Sequence, residues 1–128
     1  MRALILLAFA CTIIACDPAK YAKFSVAPTA VAASDSSARA ETFALVTRIG
    51  MRNGLQAVSP ADAAGRNDQG WQTCLTRETL FLCGKVSGPE IQFEMRQGLS
   101  ARFTPWADSL RREIVDSLRS KFGTAAVR

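Results

Sequence analysis

The sequence predicts an α+β domain: a helix, a three- to four-stranded antiparallel meander with a disulfide-clamped hairpin, and a C-terminal helix packed on one sheet face. Three observations lead there. Residues 71–96 alternate apolar and polar side chains between turn signals, the period-2 pattern of half-buried strands. Residues 106–122 repeat an apolar side chain every four positions, the pattern of an amphipathic helix. Cys74 and Cys83 stand at mirrored positions of one hairpin.

The first helix is announced by Ser34, Asp35, Ser36 and Ser37, all residues that accept a hydrogen bond from a free helical N–H. Good helix formers follow from Ala38 to about Met51, with Phe43, Val46, Thr47 and Gly50 on one stripe and Leu45 and Ile49 on the next. Gly50 or Gly54 is the expected stop. Phe43 to Thr47 is short and apolar enough to read as a strand instead. Leu55 to Val58 forms a short strand ended by Ser59-Pro60. Pro60 to Gly70 is a polar, glycine-bearing loop, either a connector or a functional loop.

The hairpin is the sharpest local expectation. Trp71–Thr76 and Leu80–Ser87 are joined by a tight turn around Arg77-Glu78. Setting Cys74 opposite Cys83 puts Leu75 opposite Leu82, Thr73 opposite Gly84 and Trp71 opposite Val86, all on one face. Gln72, Cys74, Thr76, Phe81, Cys83 and Lys85 fall on the other. Directly opposed residues bring their Cβ atoms close enough for a disulfide. Closing a ring of about 10 residues stabilises the fold by roughly 2–3 kcal/mol through loop entropy. A metal pair or a redox pair is the alternative use of Cys74 and Cys83; no other soft ligand is near and no Cys-x-x-Cys is present. Gly84 marks a bulge or a close approach.

After the turn Ser87-Gly88-Pro89, Glu90 to Arg96 places Ile91, Phe93 and Met95 one way and Gln92, Glu94 and Arg96 the other. The last helix starts with Thr104 as N-cap and Pro105 in its first position. Trp106, Leu110, Ile114, Leu118 and Phe122 give its apolar stripe, and Asp108 to Arg112 is a favourable i,i+4 pair. Gly123 caps the end, and 124–128 is expected to fray.

Composition excludes several chemistries. There is no histidine, so neither a Ser-His-Asp nor a Cys-His arrangement can be built, and zinc sites that use histidine fall away as well. No catalytic residue, metal ligand or cofactor motif stands out. Glu78, Glu90, Glu94, Asp108, Glu113 and Asp116 supply carboxylates, and a small hydrolase using a carboxylate pair is the alternative function class. Arg111, Arg112, Arg119 and Lys121 give the last helix a basic edge, expected either to be solvated or to contact a partner or lipid headgroups. Nothing in the sequence points to nucleic-acid binding.

The N-terminal residues concern address rather than activity. Arg2 precedes an apolar run, Ala3 to Ile14, which has the length of a signal-peptide core and is too short for a bilayer of about 30 Å. It ends in Ile13-Ile14-Ala15-Cys16, which resembles the lipobox of bacterial lipoprotein precursors. That resemblance implies cleavage before Cys16, a diacylglyceryl thioether on its sulfur and an acyl chain such as palmitate on the new amino terminus. The implied organisation is a removed signal peptide (1–15), a lipidated Cys16 with a flexible linker (16–35), one domain (36–123) and a tail (124–128). Loss of Arg2 leaves 15 basic residues against 11 acidic, a net charge of +4 on the remaining chain. The expected protein is a membrane-anchored lipoprotein facing the periplasm or exterior, with the choice of membrane open. Its expected role is non-catalytic, as an inhibitor, an immunity-like protein or an accessory subunit with an envelope protein partner. The oxidising compartment favours a Cys74–Cys83 disulfide.

Overall fold

Strand register decides where every functional side chain points. The computed structural model describes residues 20–26, 36–64, 70–98 and 102–128. Within them the elements run β1 (Lys20–Val26), α1 (Ser36–Arg52), β2 (Gln56–Val58), α2 (Pro60–Ala64), β3 (Thr73–Arg77), β4 (Leu80–Ser87), β5 (Glu90–Gln97) and α3 (Pro105–Phe122), followed by a 3₁₀ turn, Thr124–Ala126. The strands form one five-stranded sheet in the order β1-β5-β4-β3-β2, antiparallel throughout. The α+β architecture and the disulfide-clamped hairpin are as the sequence predicts.

The hairpin register matches from Thr73 inward: Cys74 pairs with Cys83, Leu75 with Leu82 and Thr73 with Gly84. Trp71, expected opposite Val86 on the inner face, instead precedes β3 and lies against Lys85 on the outer face. Glu78 and Thr79 form the turn, and Glu78 has φ 54°, the left-handed first position of a primed hairpin turn. Counting outward from that turn makes Cys74–Cys83 a narrow, non-hydrogen-bonded pair, in keeping with a Cα–Cα distance of 4.2 Å. The disulfide is formed. Both sulfur-bearing residues are buried, although they lie on the face opposite Leu75 and Leu82.

That opposite pair belongs to the inner face, with Phe24, Val26, Leu80, Ile91, Phe93 and Met95. The two long helices cover it. Phe43 of α1 meets the Phe93 ring edge-on at 5.7 Å, and Ala107, Leu110, Ile114 and Leu118 of α3 complete the core. Each fully buried Leu or Ile here contributes about 1.5–3 kcal/mol. Gly84 is a close approach: a Cβ there would meet the Phe93 ring at 2.7 Å, and its carbonyl also accepts the Gln72 N–H at 2.9 Å where the ladder ends. Gln97, buried at the end of β5, accepts the Thr104 N–H at 2.9 Å, which welds the last strand to the N-cap of α3. The caps of α3 are the expected ones: Ala107 N–H donates to Thr104 Oγ1, and Gly123 N–H to Arg119 O.

Three expectations are corrected. Residues 20–26, assigned to a flexible linker, form β1 and pair with β5 along seven residues. Their alternation explains why: Ala22, Phe24 and Val26 point inward, with Val26 fully buried, and Tyr21 and Lys23 point out. The tail 124–128 does not fray. Ala126 and Val127 are buried, Val127 bridges Val26, and Ser25 and Arg128 exchange backbone hydrogen bonds at 2.8 and 3.0 Å. Part of the loop 60–70 is the helix α2, which packs on β3 and β4. The proposed signal peptide, 1–15, lies outside the described residues. Among those residues, no helix is long and apolar enough to cross a membrane.

Deleting Val127 and Arg128 is expected to lower stability by about 2–4 kcal/mol, through a lost buried valine and two backbone hydrogen bonds. Chemical denaturation of the two chains checks this, and an unchanged midpoint refutes it.

Candidate binding face

The inner face of the sheet is filled by α1 and α3, so any site on the sheet must use the outer face. Three strands present it. β1 contributes Lys23 and Ser25, β5 contributes Gln92 and Glu94, and β4 contributes Lys85. The register sets Lys23 beside Glu94, Ser25 beside Gln92, and Gln92 beside Lys85. Trp71, just before β3, and Arg128, at the end paired with β1, close the sides. The result is an open groove of about 300 Å³.

Its electrostatics are basic with an aromatic wall. Three basic side chains line it against one carboxylate. Lys85 Nζ sits 4.8 Å from the centre of the Trp71 ring, a cation–π contact that holds both side chains at the groove wall. Lys23 pairs with Glu94 at 3.6 Å, and Arg128 with Glu90 at 3.0 Å. Both pairs are solvent-accessible and worth little to stability, about 0–1 kcal/mol each, so a ligand can compete for these charges. The groove is not visible in the sequence, because it combines Lys23 and Ser25 of the expected linker, the last residue and four positions of the meander, Trp71, Lys85, Gln92 and Glu94. The outward alternation of Gln92, Glu94 and Lys85 was the available signal.

The cations singled out on α3 behave differently. At 100° per residue, Arg112 and Arg119 share a stripe while Lys121 lies on the far flank, so the four do not form one patch. Arg111 donates to Asp108 at 2.9 Å, Arg112 approaches the same carboxylate at 3.6 Å, and Lys121 pairs with Glu41 of α1 at 2.9 Å. Arg119 is exposed. Three of the four cations thus neutralise carboxylates of the helical layer. Other carboxylates are engaged as well: Glu113 is bonded by Arg52 and by Asn53. Among the described residues, no group of three or more Cys, Asp or Glu could hold a metal ion. Cys16 lies outside the described residues, and Cys74 and Cys83 are joined.

The hydrogen bond from Arg111, helped by the charges of Arg111 and Arg112, outweighs partial burial and holds the Asp108 carboxyl below its ordinary range. A carboxyl with a depressed folded-state value stabilises the fold above its unfolded value and loses that contribution as pH falls through the folded one. Asp108→Asn is therefore expected to be less stable than the unaltered chain at pH 7, with the gap closing as pH drops below about 4. Urea midpoints at pH 7 and pH 3 check the sign, and a gap that widens on acidification contradicts it. No family model, curated protein or solved structure matches the chain.

Proposed function

We propose that the chain is a lipid-anchored, non-catalytic binding module of the bacterial cell envelope. Lipid on Cys16 fixes its location, and the outer sheet face receives an envelope protein. The observation that carries this reading is the groove between β1, β5 and β4: open, basic, walled by Trp71, and set on a rigid disulfide-linked sheet. A rigid platform limits the entropy lost on binding. Tryptophan and flanking cations are the side chains from which interface anchors are commonly made. The groove suits a partner that offers a carboxylate beside an apolar or aromatic side chain. Both an inhibitor of a wall-active enzyme and an accessory subunit of an envelope complex would use such a surface.

A carboxylate hydrolase finds less support. It needs one carboxyl kept protonated near neutral pH across a cleft from a second, ionised one. Asp108 is shifted the opposite way, and Glu41, Glu90, Glu94 and Glu113 each lie against a cation.

Two measurements test the proposal. Cys16→Ser is expected to move the protein from the membrane to the soluble fraction; retention with unchanged lipid labelling contradicts the anchor. Affinity capture from envelope extracts with the full chain is expected to recover partners that Trp71→Ala combined with Lys85→Glu loses. An identical captured set from both chains contradicts the groove as the binding surface.

A further inference from the structure

The anchor and the fold together fix which end of the domain meets the bilayer; this step rests on the lipid proposed for Cys16. β1 begins at Lys20, four residue steps from Cys16. Four residues span at most about 14 Å, whatever their conformation. The end of the sheet where β1 starts is therefore held against the membrane surface. Lys20 pairs with Gln97, and Gln97 pairs with Leu80, so the same end carries the β3–β4 turn and, through the Gln97–Thr104 bond, the start of α3.

The side chains at this end suit a headgroup layer. On the outer face, Tyr21, Arg96 and Phe81 form one cross-strand row, with the Arg96 guanidinium 5.4 Å from the Tyr21 ring. Around the rim, Arg77 lies over Trp106 at 4.4 Å and donates to Asn53 O, and Arg102 is exposed close to the Thr104 cap. Met51 projects from the last turn of α1, which abuts Arg77 through Asn53. Tyr21 and Met51 are 47% and 55% exposed, the two exposed large hydrophobic side chains among the described residues, and both lie at this end. Cations bind lipid phosphates, and an amphipathic tyrosine settles at the boundary between headgroups and acyl chains. Glu78 in the turn, Asp108 in the first turn of α3 and Glu113 beside Asn53 set negative charges near these groups, and the last two are already paired with arginines.

We infer that this end, centred on Tyr21, Phe81 and Arg96, docks on an anionic phospholipid surface and holds the domain end-on against the bilayer. The groove begins two residues further along the strands, at Lys23 and Glu94, and runs away from the membrane. It stays open to a partner.

The two tryptophans report the orientation, because Trp106 lies at the docked end and Trp71 toward the other. The lipidated full chain is reconstituted in vesicles of phosphatidylethanolamine and phosphatidylglycerol carrying dansyl-phosphatidylethanolamine, and energy transfer from tryptophan is read. Trp71→Phe, which keeps Trp106, is expected to give at least threefold more transfer than Trp106→Phe. Adding Tyr21→Ser and Arg96→Gln to Trp71→Phe is expected to cut its transfer at least twofold, and so is replacing the lipids with phosphatidylcholine. Because Trp106 packs on the core, a comparison that leaves it intact is also made: transfer per tryptophan rises when Trp71 alone is removed. Equal transfer from the two tryptophans, with lipid found on Cys16 by mass spectrometry, overturns the docking while leaving the anchor. Undiminished transfer in phosphatidylcholine overturns the charge recognition. Absence of lipid on Cys16 overturns the anchor and the docking with it.

Discussion

One register holds this domain together. Cys74 opposite Cys83 fixes β3 against β4, and continuing it through β5 and β1 assigns every side chain in the sheet to a face. Side chains in strands have a period of two, so a slip of one residue would exchange Leu75 and Leu82 for the cysteines and carry polar groups under α1 and α3. The disulfide forbids that slip covalently. The Phe93 ring reinforces it by lying over Gly84, where any Cβ would collide. The inner face then accepts both helices, and the outer face is left to carry polar and charged groups.

The parts of the fold that were legible in the sequence are those whose signal is local. The hairpin register follows from two cysteines, the third meander strand from strict alternation, and α3 from Thr104, Pro105, its four-residue repeat and Gly123. β1 was missed, although Tyr21 to Val26 alternate as cleanly as β5 does. Alanines and prolines flank them, and their pairing partner lies some 70 positions later in the chain. The tail was missed for the same physical reason. Val127 is a single large apolar residue between two alanines and Arg128, with no periodic pattern, and its burial depends on Val26, itself buried only once β1 is in the sheet.

The candidate site follows the same division. Counting cations on α3 suggested a basic edge, but helix geometry splits them, and Asp108 and Glu41 absorb most of them. A charge count along a sequence cannot see a carboxylate one turn away on the same helix or across the layer on α1. The groove joins Lys23, Glu94, Lys85, Trp71 and Arg128, which no spacing rule would collect. They become neighbours only through the strand order β1-β5-β4 and the return of the last residues to β1.

Seating residues 20–26 in the sheet also alters what a lipid on Cys16 would mean mechanically. A flexible segment of about 17 residues would let the domain roam some 55–60 Å from the bilayer in any orientation. Four residue steps allow about a quarter of that, and the strand direction decides which end leads. A site on such a domain is presented at a set height and angle rather than displayed on a long leash. A partner embedded in or lying on the same membrane would then meet the groove at a high effective concentration and in a restricted orientation. The pairing of Lys20–Val26 with β5 thus governs both halves of the molecule's behaviour: it completes the core on one face and sets the geometry of presentation on the other.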